Sequence, residues 1–201
     1  MSRLLSAGFT RLFKNRLFQS AIVVMFAVGC FAGYTKWSDF NDGFTVDLAD
    51  ALFCYCVFGG CAAAVLSSMF SGTEYSDGTI RNKIIAGCSR VGIYLSNLII
   101  NFVSGIMAVV AFVVPYLAVC LLTIGKSSVP IKVLMISVLL SILSLAAFSA
   151  IYNAATMLIA KKAAAAVACL LLFAGMYIFG MTTYSKIEEP EFVSGYEMNS
   201  A

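Results

Sequence analysis

The residues able to do chemistry in this chain crowd into one stretch, Ser71 to Arg90, which reads S-G-T-E-Y-S-D-G-T-I-R-N-K-I-I-A-G-C-S-R. It carries Glu74, Asp77, Arg81, Lys83 and Arg90 between two long apolar runs. Such residues can cap helices, bind lipid phosphates or be addressed by a partner. Ordinary hydrolytic chemistry is not open to them. The chain has no histidine, which removes Ser-His-Asp triads, Cys-His dyads and H-E-x-x-H metal sites. Its seven cysteines contain no C-x-x-C pair, and all except Cys88 sit in apolar runs, where cysteine behaves as a small hydrophobe. No catalytic residue and no metal site are therefore assigned. Gly125-Lys126-Ser127 lacks the upstream glycine of a phosphate loop, so no nucleotide site is expected either.

Read locally, Ser71-Gly-Thr-Glu74 fits the capping box S-x-x-E, with Ser71 as N-cap and Glu74 reaching back to its amide. Asp77-Gly78 is a turn signal, Thr79 can cap a following helix that carries Arg81 and Lys83, and Gly87 can end it. Ser89 can cap the next span. The segment is expected to form two short helices with a break at Gly78.

The elements that must position this segment are written in the composition. Of 201 residues, 61% are hydrophobic and 11% charged, against about 25% charged in an average globular domain. A soluble fold of this length has too little interior to hide that much apolar surface. Apolar runs of 18 or more residues recur, so the expected fold is an all-α integral membrane protein. Five spans are placed at about 17–34, 51–70, 93–124, 133–160 and 163–181, with the polar segment 71–90 between the second and third. The third run exceeds one crossing and contains Pro115, which predicts a single tilted or kinked helix. The link Lys161-Lys162 is short enough to make spans four and five a hairpin.

Residues 1–16 are too mixed to cross a bilayer. At 100° per residue Leu5, Phe9, Leu12 and Phe13 share one arc, while Arg3, Ser6, Thr10, Arg11 and Lys14 lie opposite, the pattern of a helix in the membrane interface. A signal peptide would demand a soluble mature product, which the remaining chain does not offer. Residues 36–50 read as an acidic loop with Trp37, Phe40 and Phe44 at the headgroup level, and 182–201 as a polar tail outside the membrane. Asn97 and Asn101 share a face, as do Ser137, Ser141 and Ser144. Hydrogen-bonded packing between helices accounts for both faces, with a substrate path as the second reading. The small residues of the second span, among them Gly59, Gly60 and Ala62 to Ala64, predict close helix contact.

Placing the N-terminus inside puts Arg3, Arg11, Lys14, Arg16, Arg81, Lys83, Arg90, Lys161 and Lys162 on the cytoplasmic side and only Lys36, Lys126, Lys132 and Lys186 outside. Basic residues concentrate inside, so this is the expected orientation. An ion-coupled carrier usually holds ionisable groups within its spans, and the expected span interiors have none.

The string Glu74-Tyr75-Ser76-Asp77-Gly78-Thr79-Ile80-Arg81-Asn82-Lys83, with Gly87-Cys88-Ser89-Arg90 and Ile93-Tyr94-Leu95-Ser96 after it, resembles the first cytoplasmic loop of ABC-2 type transporter permeases. It is most similar to the subgroup of bacterial peptide-antibiotic export and immunity permeases. The resemblance implies a transmembrane subunit in the bacterial cell membrane that has no enzyme activity of its own. A separate ABC ATP-binding subunit would supply ATP and Mg, and a second permease copy or paralogue would complete the exporter. Glu74, Tyr75, Gly78, Thr79, Ile80 and Arg81 would make the ATPase-coupling contact, with the helix bearing Arg3, Phe9, Arg11, Phe13 and Lys14 resting nearby. Cargo of a peptide, drug or lipid-like kind is implied, and nucleic acid is not. Family members have six spans, so this chain reads as the first five. The alternative is a membrane scaffold or sensor partner that transports nothing.

Overall fold

The computed structural model describes residues 2–44, 54–76, 78–123, 130–159 and 161–188. Among them are seven helices: α1 (Ser2–Lys14), α2 (Arg16–Asn41), α3 (Cys54–Ser76), α4 (Thr79–Ile85), α5 (Arg90–Thr123), α6 (Ile131–Leu158) and α7 (Lys162–Glu188). Five of them, α2, α3, α5, α6 and α7, are long and apolar enough to cross a membrane. The five expected spans each fall on one of these helices.

The boundaries differ where local chemistry extends a helix. α2 does not stop near Tyr34 but runs to Asn41, so Trp37 and Phe40 are helical and not in a loop. A Lys36–Asp39 ion pair at 3.4 Å and a Tyr34–Trp37 ring contact support the extra turns. Gly43, at φ 87°, ends them. Residues 45–53, including the start of the expected second span, lie outside the described set. α7 likewise continues past Met181 to Glu188, so the start of the stretch read as a polar tail is helical. α5 passes through Pro115 as one helix.

Two helices organise the bundle. α5 is lined by α2 along one side and touches α1, α3 and α6; α3 packs on α5, α6 and α7. Small residues set the spacing between α2 and α5. A Cβ on Gly29 would lie 2.3 Å from the Phe112 carbonyl oxygen, and one on Gly33 2.9 Å from Val119. Backbones this close gain dispersion contacts that larger residues would forbid. Three apolar clusters fill the interior. Met25, Tyr55, Ala108, Phe112, Tyr116 and Cys120 form one, and Leu12, Phe18, Leu66, Phe70 and Ile100 a second. Ala63, Ala64, Leu145, Tyr152 and Cys169 form the third.

The second cluster changes the role of α1. Its apolar arc, Leu5, Phe9 and Leu12, packs against α3 and α5, so protein covers most of what the sequence offers to lipid. Phe13 stays exposed and meets Phe18 edge-on. The outward faces of α2, α6 and α7 carry exposed Val23, Phe31, Leu139, Leu143, Leu171 and Phe179. Such surface is costly in water and costs nothing against hydrocarbon, which is why these helices suit a bilayer.

Candidate functional site

The most polar place in the bundle is built by three helices that each present polar residues at i, i+4 and i+7: Ser67, Ser71 and Glu74 on α3, Asn97, Asn101 and Ser104 on α5, and Ser149, Asn153 and Thr156 on α6. All nine are buried. Residues at this spacing share a helix face, and the three faces meet.

Glu74 is the hub. Only 2% of it is exposed, and its carboxylate accepts three hydrogen bonds. Oε1 takes Arg11 Nη1 of α1 at 3.1 Å and Lys83 Nζ of α4 at 2.6 Å; Oε2 takes Asn97 Nδ2 of α5 at 2.9 Å. Arg11 also donates from Nη2 to Thr73 Oγ1 at 2.9 Å, and its guanidinium lies over the Phe70 ring at 5.3 Å. A buried carboxylate is tolerable only when paired and hydrogen-bonded, and this one is both.

A second group lies further in. Asn101 Nδ2 reaches Ser71 Oγ at 3.4 Å and Asn153 Oδ1 at 3.3 Å, and Asn153 Nδ2 donates to the Tyr94 carbonyl at 3.3 Å. Two hydrogen-bonded groups thus stand one above the other on α3 and α5: the outer one ties in the two short helices, α1 and α4, and the inner one reaches α6. Ser67 Oγ and Tyr152 Oη are buried at the inner end with no hydrogen-bond partner among the described residues.

Several sequence expectations fail here for one reason. No capping box forms at Ser71 and Glu74, because α3 runs unbroken to Ser76 and Ser71 lies inside it. Both side chains turn to the polar face shared with α5 and not to their own backbone. The segment holds the end of α3 and one short helix, not two short helices. The break at Gly78 is present, with φ 67°, and Gly87 at φ 84° follows α4. Gly78 itself, not Thr79, occupies the N-cap of α4. Thr79 instead donates its hydroxyl to the Glu74 carbonyl at 2.9 Å, which ties α4 to the end of α3. Ser89 does receive the Gly92 amide at the start of α5, at 3.2 Å.

Of the other candidate residues, Ile80 is half-buried and Arg81 and Lys14 are exposed. Phe9 packs in the α1 interface. Asp77 and the side chains of Arg3 and Tyr75 lie outside the described set. Asn97 and Asn101 lie on one buried face of α5, Asn97 bonding Glu74 and Asn101 bonding Ser71 and Asn153. Ser137, Ser141 and Ser144 are not part of this network. They lie toward the other end of α6, where Ser141 bonds across to Tyr55 and Ser144 donates to its own helix at Leu140. Asn153 and Tyr55 are bonding partners that the sequence reading did not place, and Arg11, read there as part of the interfacial helix, was not paired with Glu74. The i, i+4, i+7 pattern repeated on three helices was the available signal for Asn153.

No protein-family model, no curated protein and no solved structure matches this chain.

Proposed function

We propose that the chain is the membrane-spanning permease subunit of an ATP-driven ABC exporter in a bacterial cell membrane, with its N-terminus and α4 in the cytoplasm. It would work with a separate ATP-binding subunit and a second permease copy or paralogue to export a peptide, drug or lipid-like substrate. The observation that carries this reading is the Glu74 hub. Work done on a subunit by a water-soluble motor needs a stiff path from surface helices into the spans, and one carboxylate joins α1, α4 and α5 to α3. The string that resembles the permease loop divides its labour accordingly. Glu74 and Lys83 hold the helices together, while Arg81, with Ile84 at 41% and Ile85 at 77% exposure, faces outward from α4.

The test is recovery of the ATP-binding subunit with the purified full chain. Arg81 and Ile85 are exposed on α4, so Arg81→Glu and Ile85→Glu change its outer surface. They should cut recovery about tenfold, equivalent to about 1.4 kcal/mol, without shifting thermal unfolding. Glu74→Gln should leave binding in place and lower stimulated ATP turnover. Equal recovery with both α4 variants would sink this reading. Binding without nucleotide-driven export would favour the scaffold alternative.

A further inference from the structure

The end of the bundle remote from Glu74 is built differently. At about 1.5 Å per residue along α3, Tyr55 lies roughly 28 Å from that carboxylate. There the helices leave two cavities: one of about 340 Å³ between α3, α6 and α7, the other of about 360 Å³ between α5 and α6. They share Tyr55, Val109, Ser141 and Leu145 as walls, so the hydroxyl pair of Tyr55 and Ser141 stands between two hydrocarbon-lined chambers. Both volumes lie within the roughly 300–1,000 Å³ of small-molecule sites.

Their chemistry narrows the ligand. Among the described residues no Asp, Glu, Lys or Arg lines either chamber, so an ionised group entering here would lose its hydration with no charged partner among them. The remaining walls are mostly aliphatic, aromatic and sulfur-bearing, with Phe173 and Met176 of α7 among them; Tyr177 and Ser144 also line the first chamber, the Ser144 hydroxyl being bonded to the Leu140 carbonyl. α6 and α7 are little covered by the rest of the described bundle, with only 11% of their apolar windows buried. We propose that this double chamber binds a neutral amphiphile drawn from the membrane, a hydrocarbon chain bearing one hydroxyl or carbonyl group. Its polar group exchanges hydrogen bonds with Tyr55 and Ser141, and its chain lies along α7. The site stands on its own geometry; that its ligand is the exported cargo rests on the permease reading.

Two glycines of α7 supply a controlled test. Gly180 lines the first chamber and Gly175 lines neither, and a Cβ on either would meet nothing within 4 Å. The purified full chain in phospholipid nanodiscs is photolabelled with diazirine-bearing hexadecanol, the matching alkane and the matching quaternary ammonium. In the wild type the alcohol should label α7 saturably, several-fold above the ammonium. Gly180→Trp should reduce that labelling about tenfold, and Gly175→Trp should leave it within twofold, with both variants unfolding at the wild-type temperature. Tyr55→Phe should lower labelling by the alcohol to that by the alkane and leave the alkane unchanged. Equal labelling of the two tryptophan variants overturns the site. So does the absence of saturable labelling in the wild type, as a second copy seated in the chambers would produce, or a preference for the ammonium. Stimulation of the partner ATPase by hexadecanol is read separately. If labelling behaves as described and stimulation is missing, the cargo assignment falls and the binding site remains.

Discussion

Arg11 and Lys83 both lie within 3.1 Å of one Glu74 oxygen, so the hub holds two cations around one anion, and the three groups are not equally buried. The side chains of Arg11 and Lys83 are 34% and 26% exposed and can return to water if the carboxylate is lost; Glu74, at 2%, cannot follow them. This asymmetry predicts an order of damage. Glu74→Gln keeps an acceptor for Asn97 and frees two cations that reach solvent, so it should cost about 1–3 kcal/mol. Removing both cations with Arg11→Ala and Lys83→Ala leaves a buried, uncompensated carboxylate and should cost about 3–5 kcal/mol. Denaturant unfolding in micelles measures both, and a double variant more stable than Glu74→Gln would show that the charge is not confined as described. Asn101→Leu should also destabilise, by about 1–3 kcal/mol, since it strands the polar groups of Ser71 and Asn153.

At the scale of the elements, helix lengths and turn positions follow from residues that announce themselves. Gly78 and Gly87 mark both limits of α4, and the apolar runs mark the spans. The side on which a polar residue is satisfied is less legible. Ser71 and Glu74 fit a local cap, yet a partner on another helix wins, because Asn97 and Arg11 offer Glu74 stronger bonds than its own backbone would. Nothing in the spacing of Arg11 names a residue more than sixty positions away. That information lies in how α1 packs, not in any motif. Two substitutions separate backbone conformation from packing. Gly78→Ala meets no atom within 4 Å and should cost only the left-handed backbone penalty, about 1–2 kcal/mol. Gly29→Ala drives a methyl into the Phe112 carbonyl and should cost about 1–3 kcal/mol or more as α2 and α5 separate. Thermal unfolding of the two variants checks the order.

For the whole molecule, the two ends of the bundle have opposite characters. One is tied by charge and amide bonds; the other is held by apolar contact around two cavities and one hydroxyl pair. The proposed orientation puts the tied end in the cytoplasm and predicts thiol labelling from opposite sides. In single-cysteine variants, half-buried Cys88 should react with a membrane-impermeant maleimide only after the membrane is opened, whereas exposed Cys54 should react in intact cells. The reverse pattern would invert the topology. Five spans and the general class were readable from composition. The difference between the ends was not, since Ser, Asn and Tyr within apolar runs look alike until their neighbours are known.

The Glu74 hub also bears on how the chain is made. During synthesis α1 emerges first and α3 later, so the carboxylate enters the bilayer region only after its arginine partner exists. Lys83 and Asn97 follow within the next turns of chain. Each arrival adds a partner to a carboxylate that would otherwise be stranded, and this order predicts that α1 acts as a checkpoint for correct insertion of α3. A chain begun after Lys14 would present an under-paired Glu74 to the insertion machinery. Its steady-state level in the membrane should fall, and Glu74→Gln in the same truncated chain should restore part of it.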